Sequence, residues 1–258
     1  MKKFFAALFA VASIAAVSCN PEDNGGSTKI DPDNGIDSNL PAALQHSAFI
    51  PIILDGTSFE SVKDKVVVDL RVDDKTNNLW VWDKTYTGGA GEGLNFFGNT
   101  EGYIDLLVGT VGWSGAGFCV YTSFKPDGAE EPFVAAVDPF EKINGSIGAD
   151  PANWVFHLAY KGAERVAQII GVGFGGKEYK FAIGEGSLAD AGITYEAIAP
   201  VSGEFEAGEW MEYEIPVTEF GFDFTSKDSA NGTNVLFILS GGVTGTEIKL
   251  DAAYYYKK

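Results

Sequence analysis

The sequence predicts an all-β protein folded as a single antiparallel β-sandwich. Apolar and polar residues alternate with period two in several segments, most clearly at 211–215 and 247–256. This alternation is typical of strands with one buried face. Glycine-rich turn signals recur roughly every 8–15 residues, and no helical apolar pattern is longer than about two turns. Together these features indicate about ten strands in one sandwich.

The net charge restricts the partners of this chain. It has 258 residues and a formal charge of −18 at pH 7. A surface this acidic repels nucleic acid and anionic membrane headgroups. The charge therefore suits a neutral ligand, a cation or simply solubility.

The N-terminus has the features of an export signal. Lys2 and Lys3 precede an apolar run at 4–17 that is short for a bilayer span, and small residues lead to Cys19. This order resembles a bacterial lipoprotein signal, in which residues 1–18 are removed and Cys19 is lipidated. An ordinary secretory peptide cut nearby is the alternative. Lipidation would attach the protein to a membrane through its N-terminal lipid alone.

Residues 19–39 are predicted to form the lipidated cysteine and a flexible acidic tether. They are rich in Asp, Asn, Gly and Ser and contain few apolar residues, so they cannot form a core. Glu22 and Asp23 resemble the export signal of surface lipoproteins in Bacteroidetes-type bacteria. The resemblance implies an exported protein, lipid-anchored to the outer membrane at the cell surface.

The predicted sandwich occupies residues 40–258. Strands are expected at 49–54, 65–72, 78–82, 103–111, 117–124, 154–160, 167–174, 179–183, 211–215, 235–239 and 247–256. Pro51 places the first strand at a sheet edge. The segment 85–102 is a long glycine-rich loop with aromatic residues, a type of loop that is often functional. A turn of helix is expected at 187–192, and Tyr255 is the one exposed tyrosine expected in the last strand.

The order of the closing elements carries a family resemblance. A Gly-Glu-Trp segment opens the alternating strand at 211–215, and Pro216 ends it. A continuous apolar strand, a Ser-Gly-Gly turn and a last strand containing Asp251 follow. This order resembles the closing half of galactose-binding-like jelly rolls, a fold shared by many carbohydrate-binding modules. The resemblance implies a jelly-roll sandwich with a carbohydrate ligand, and it is weaker over 40–100.

Enzyme signatures are absent from the sequence. It has no Gly-x-Ser-x-Gly motif with a matching histidine, no His-Glu-x-x-His and no Cys-x-x-Cys. Glu212 and Glu214 have the spacing of a glycosidase carboxylate pair, but they lie in an acidic run and are interpreted as solvated. His157 is interpreted as a structural, hydrogen-bonded histidine. We therefore predict a non-catalytic protein.

Aromatic side chains suit a carbohydrate ligand, because the C–H faces of pyranose rings stack on flat rings. Trp80 and Trp82 lie two residues apart in a predicted strand and so point to one face, and Tyr86 shares that face if the strand continues. Trp113 lies in a Gly-Trp-Ser-Gly turn. These four residues are the candidate carbohydrate-binding residues, and core packing is the alternative for Trp80 and Trp82.

No catalytic cofactor is expected, but a structural calcium ion is one interpretation of two acidic residues. Modules of the resembled fold often place a calcium ligand on the last strand, where Asp251 lies. Asp55, near the start of the domain, is its candidate partner. A salt bridge between Asp251 and Lys249 or Lys257 is the alternative.

The leading hypothesis is a non-catalytic cell-surface lipoprotein that binds a glycan through exposed aromatics, beside surface glycan-uptake proteins. The alternative is a structural or adhesive surface protein, such as a fimbria-like subunit or protein-interaction module. That role predicts an unpaired sheet edge or a donor strand, without clustered exposed indoles. A glycoside-active enzyme is the third hypothesis and requires two converging carboxylates in a cleft.

Overall fold

The structure is a computed structural model that describes residues 39–109, 112–225, 232–241 and 243–258. The predicted leader, Cys19 and the tether as far as residue 38 lie outside the described residues. No helix in the described part of the chain is long and apolar enough to cross a membrane.

Short strands dominate the described residues. Two α-helices accompany them, α1 (Gly56–Val62) and α2 (Pro139–Ile143), together with several 3₁₀ segments and one π-helical segment. The strands are β1 (Ala48–Ile53), β2 (Asn77–Val81), β3 (Tyr86–Ala90), β4 (Ile104–Val108), β5 (Ser114–Val120), β6 (Ser123–Phe124), β7 (Phe133–Val134), β8 (Trp154–Gly162), β9 (Gln168–Phe174), β10 (Lys177–Ile183), β11 (Ser187–Asp190), β12 (Ile193–Glu196), β13 (Met211–Pro216), β14 (Thr233–Ser240) and β15 (Glu247–Lys257).

Two antiparallel sheets form the sandwich. The six-stranded sheet has the order β13-β8-β15-β4-β3, and β1 pairs with the C-terminal half of β15. The five-stranded sheet has the order β10-β9-β14-β5-β2. Two small hairpins, β6–β7 and β11–β12, lie outside these sheets. The predicted antiparallel β-sandwich is therefore confirmed.

The main core lies between the two sheets. Alternate residues of facing strands supply it, as the period-two pattern predicts. Phe156 and Leu158 of β8 face Ile170 and Val172 of β9 across this core, and all four are fully buried. The free thiol of Cys119 is also buried, as its apolar surroundings in the sequence suggest.

The other face of the six-stranded sheet is also covered. A second apolar cluster forms there, where Leu44, Phe49 and Val62 of the N-terminal segment and Phe96 of the 91–103 loop pack on β8 and β15. This cover buries Tyr254 and Tyr256, whereas Tyr255 points into the main core between the sheets. The expectation that Tyr255 is exposed is wrong, since β15 has packed material on both faces.

Two local predictions are also wrong. Residues 65–72 do not form a regular strand, although Val68 and Leu70 are buried as the alternation suggests. Their backbone makes isolated hydrogen bonds to β1, from Val67 N to Phe49 O (2.9 Å) and from Leu70 N to Pro51 O (2.9 Å). The expected helical turn at 187–192 is instead β11, which pairs with β12.

Candidate functional site

The outer face of the five-stranded sheet differs from the other sheet faces because a thin hairpin covers only part of it. Ile169, Phe237 and Leu239 point outward from β9 and β14. Leu188 and Tyr195 of the β11–β12 hairpin pack on them. The remaining part, over β5 and the end of β2, carries the half-buried Trp82 and the 40% exposed Trp113.

Glycines of β5 form the floor beneath these indoles. A Cβ atom on Gly115 would lie 2.4 Å from Trp82 Cε3 and 2.8 Å from Trp113 Cζ2. A Cβ atom on Gly117 would lie 2.9 Å from Trp82 Cζ2. All three distances are too short for real carbon atoms, so the indoles rest directly on backbone that only glycine can supply.

The two indoles form a parallel pair. The ring planes of Trp82 and Trp113 are within 8° of parallel, and their centroids are 6.2 Å apart. The ring of Phe237 supports Trp82 at 6.2 Å. Trp82 is thus held in place from below and from the side, while Trp113 remains open to solvent. The pair presents flat apolar surface of the kind on which a sugar ring stacks.

An amide group lies beside the aromatic pair. Asn234 Oδ1 would lie 2.6 Å from a Cβ atom on Gly117, the same position that Trp82 contacts. Asn234 is half-buried on β14, and its side chain has no hydrogen-bond partner among the described residues. An amide donates two and accepts two hydrogen bonds, so this side chain is equipped to bind a hydroxyl-bearing ligand.

Trp80 lies on the same outer face but is less available. It pairs in register with Gly117 and is half-buried. Its ring packs edge-on against Phe124 of the β6–β7 hairpin, at a centroid distance of 5.9 Å. Phe124 in turn contacts Tyr121 at 4.7 Å. Trp80, Phe124 and Tyr121 therefore form a second aromatic group at the margin of the face, in which Phe124 contacts both other rings.

Tyr86 does not share this face, so its expected place in the strip is wrong. The chain turns after Val81 through a 3₁₀ segment in which Asp83 and Lys84 have positive φ angles of 48° and 57°. This turn carries Tyr86 into β3 of the other sheet. Its side chain is buried in the main core and hydrogen-bonds Ser240.

The lysine at the far side of the face is paired with two carboxylates. Lys180 Nζ bonds Asp190 at 3.0 Å and Glu178 at 3.3 Å, and it lies 5.6 Å from the Phe237 ring centroid. Burial lowers the pKa of Lys180, but its hydrogen bond to Asp190 and the nearby carboxylates outweigh that effect and raise it. Lys180 is therefore a paired cation and does not offer a free charge to a ligand.

The residues proposed for calcium already have N–H partners. Asp251 is 2% exposed and accepts hydrogen bonds from Phe96 N (2.8 Å) and Ala252 N (2.7 Å). Asp55 lies 3.5 Å from the Arg71 guanidinium. Calcium requires six to eight oxygen ligands, and no group of three or more metal-binding side chains occurs among the described residues. These contacts do not fit a calcium site.

The alternative for Asp251, a salt bridge with a neighbouring lysine, is not formed. Lys249 Nζ bonds Glu247 at 3.1 Å, and Lys257 Nζ bonds Asp150 at 2.9 Å. A bulge in β15 turns the chain at Ala252, whose φ of 47° is left-handed, and it directs Asp251 toward backbone N–H groups.

Glu212 is not simply solvated, as the acidic run suggests. Its Oε1 lies 2.9 Å from Nε2 of the fully buried His157, and Nδ1 of that imidazole bonds Ala252 O at 2.6 Å. The hydrogen bond to His157 is the main cause that lowers the pKa of Glu212. Glu214 accepts a hydrogen bond from Tyr256. The two carboxylates thus have structural partners under the second apolar cluster.

Three residues of the face escape prediction from the sequence. Gly115 and Gly117 carry a readable signal, because alternating glycines inside a strand often mark a close approach by another group. Asn234 carries no such signal in the sequence. It meets Trp82 only because β14 and β2 flank the same strand, β5.

The chain matches no protein-family model and no curated protein. Among solved structures, it is 13% identical to SGBP-B from a complex xyloglucan utilization locus in Bacteroides uniformis, with a TM-score of 0.40. That match covers 70% of this chain and 47% of SGBP-B, so the chain matches about half of that protein. The family 30 carbohydrate-binding module of a cellulosomal cellulase from Clostridium thermocellum is 10% identical, with a TM-score of 0.40 and coverage of 71% and 92%.

An enzyme domain shows a comparable likeness. The glycoside hydrolase domain of Endo-D from Streptococcus pneumoniae is 9% identical, with a TM-score of 0.36 and coverage of 70% of this chain and 22% of that one. All three TM-scores are below 0.5. The fold is therefore assigned from the two sheets described above.

Proposed function

We propose that this protein is a non-catalytic glycan-binding module whose ligand lies on the outer face of the five-stranded sheet. The observation that carries the proposal is the parallel Trp82–Trp113 pair with the Asn234 amide beside it. The indoles would stack on the C–H faces of sugar rings, and the amide would bind their hydroxyl groups. Ligand sites typically combine apolar and aromatic surface with a few placed polar groups in this way.

The charge distribution favours a neutral glycan. The chain carries a formal charge of −18, so it repels polyanions such as uronate-rich polysaccharides. The lysine on this face, Lys180, is paired with Asp190 and Glu178. Lys180 therefore offers no free cation to a carboxylate.

The catalytic alternative has little support in the geometry. Burial raises the pKa of Asp251 to about 6, which is the direction that a general acid requires. However, Asp251 is 2% exposed and lies under the 91–103 loop, so a substrate does not reach it. Glu212 is bonded to a buried histidine. These carboxylates have structural roles.

The test is retention of the purified protein on immobilised neutral polysaccharides, namely xyloglucan, β-1,4-galactan, xylan and mixed-linkage β-glucan, with polygalacturonate as an anionic comparison. Retention by at least one neutral glycan is expected. Trp82→Ala and Trp113→Ala should each weaken it roughly tenfold or more, because aromatic anchors contribute most of the energy of such sites. Trp210→Ala is the matched control, because Trp210 lies on the outer face of the other sheet.

Absence of retention on every glycan by the folded protein would overturn the proposal and favour the structural or adhesive alternative. Equal loss in Trp210→Ala and Trp82→Ala would show that the indoles act only through stability. Thermal melts of each variant distinguish loss of a binding contact, in which the variant stays folded, from loss of stability.

We also propose that Cys19 is lipidated and holds the module at the outer surface of the cell, close to glycan-uptake proteins. The support is the leader, the cysteine and the acidic tether of the sequence. Incorporation of a labelled fatty acid that Cys19→Ala abolishes would support the anchor. Resistance of the protein in intact cells to added protease would contradict the surface location.

A further inference from the structure

A pocket of about 350 Å³ lies at one end of the sandwich, where β4 and β14 end and β9 and β11 begin. It lies between the ends of strands from the two sheets and does not include the indole pair among its lining residues. Small-molecule sites in proteins start at about this size, roughly 300 Å³. The pocket is therefore large enough for one small ligand.

The floor of the pocket is a chain of buried polar side chains. Ser240 Oγ donates to Gln168 Oε1 at 2.5 Å, and the Tyr86 hydroxyl bonds Ser240 Oγ. Because the single hydroxyl proton of Ser240 goes to Gln168, Tyr86 donates to Ser240. Gln168 is 2% exposed, and its Nε2 has no acceptor among the described residues. Gln168 lines the pocket, so its two N–H donors, which have no partner among the described residues, are available to a ligand there.

The walls and rim complete an amphipathic site. Val108, Val166, Leu188 and Val243 provide apolar lining. Arg165 and Glu185 stand at the rim and pair with each other at 2.8 Å, with both side chains about half exposed. The lining therefore combines apolar surface and hydrogen-bonding groups with no unpaired charge.

We propose that this pocket binds a single neutral sugar ring. A ring oxygen or hydroxyl oxygen would accept from the Gln168 amide, while the C–H face of the ring packs on the valine and leucine walls. The balanced rim and the chain's negative charge exclude an anion. The inference stands on the pocket's own contacts and does not depend on the glycan face.

Two kinds of molecule can supply this sugar ring, a free monosaccharide or a glycan whose terminal residue enters the pocket. Ser240 pairs with Ser114, so Gly241 at the pocket and Trp113 on the face are the next residues along neighbouring strands. A glycan that crosses the Trp82–Trp113 pair would thus have its end close to the pocket.

Saturation-transfer NMR titrations of the full chain with the methyl β-glycosides of glucose, galactose and xylose test the proposal, and sodium glucuronate serves as the anionic comparison. At least one neutral glycoside should bind and glucuronate should not. Ser187→Tyr adds bulk at an exposed lining position, and Gln168→Glu removes the two amide donors in an almost unchanged shape. Each should weaken binding by about tenfold or more.

Two further variants locate the sugar. Ala189→Tyr makes the same addition on the same strand outside the pocket lining and should bind as the parent does. Trp82→Ala tests the other site: a monosaccharide held in the pocket stays bound in this variant, whereas one held only on the indole pair is released. If Gln168→Glu does not fold, the comparison of glycoside binding by Ser187→Tyr and Ala189→Tyr tests the pocket without it.

The outcomes of these experiments distinguish the pocket, the source of the sugar and the glycan face. No binding of any neutral glycoside overturns the pocket, as does binding that survives Ser187→Tyr but is lost in Trp82→Ala. The corresponding trisaccharide should bind more tightly than the methyl glycoside if the pocket receives a chain end. It should bind no more tightly if the pocket receives a free sugar. Absence of polysaccharide retention by the parent protein, with intact monosaccharide binding, would refute the glycan face alone.

Discussion

The indole planes of Trp82 and Trp113 lie within 8° of parallel, 6.2 Å apart between centroids, with Gly115 beneath both. Trp82 follows an edge strand, and Trp113 precedes the strand next to it. A glycine that accommodates both rings therefore holds the pair together. This arrangement leads to the first prediction.

Gly115→Ala should disrupt the pair. Its new Cβ atom would lie 2.4 Å from Trp82 Cε3, so at least one indole must move. Overpacking of this kind costs about 1–3 kcal/mol, and glycan retention should fall with it. Gly89→Ala is the control, because a Cβ atom there meets nothing within 4 Å. Urea unfolding and affinity gels report the two effects, and unchanged retention in a folded Gly115→Ala would contradict the role of the pair.

Trp113→Ala and Trp154→Ala should separate binding from stability. Trp113 is 40% exposed, so its truncation should change the free energy of unfolding by less than about 1 kcal/mol. Trp154 is buried in the main core, and its truncation should cost about 3–5 kcal/mol. Chemical denaturation measures both values. A large stability loss in Trp113→Ala would mean that this indole is a packing element.

Glu212→Ala should destabilise the fold more than Glu212→Gln. Nδ1 of His157 must carry a proton, because the carbonyl of Ala252 only accepts hydrogen bonds. A glutamine can keep a hydrogen bond to the opposite nitrogen, Nε2, because its amide both donates and accepts, whereas alanine leaves that buried atom without a partner. The cost for alanine should be about 1–3 kcal/mol, and the cost for glutamine should be smaller. Equal losses in urea unfolding would show that the hydrogen bond does not matter.

Asp251 should make stability depend on pH. Burial raises its pKa from 3.8 to about 6, and the hydrogen bonds from Phe96 and Ala252 only partly offset this. The folded protein then holds the proton more tightly than the unfolded chain does. The resulting stabilisation is full below about pH 4 and is lost as the pH rises through 6.

The raised pKa of Asp251 sets the size of this stabilisation. A shift of roughly two pKa units corresponds to about 3 kcal/mol of unfolding free energy. Unfolding free energies of the parent and of Asp251→Asn, compared at pH 4 and pH 7, measure it. The parent should lose about that amount relative to the variant as the pH rises. A constant difference between the two proteins would contradict the raised pKa.

The sequence was most informative where the signal is local. Met211, Tyr213 and Ile215 are buried while Glu212 and Glu214 are not, as their alternation predicts, because side chains of a strand point to opposite faces in turn. The same signal misled at 65–72, where the alternating residues are buried but the backbone does not enter a sheet. Burial pattern and strand pairing are separate properties.

The sequence by itself determined the all-β class, most of the strands and the supply of aromatic residues. The tertiary structure decided which of those aromatics meet. A two-residue turn at Asp83 and Lys84 sent Tyr86 into the core, and the strand order β14-β5-β2 brought Asn234 and Trp82 together over Gly117. The physical reason is that strand formation depends on neighbouring residues, whereas a binding face depends on pairing between strands that are distant in the chain.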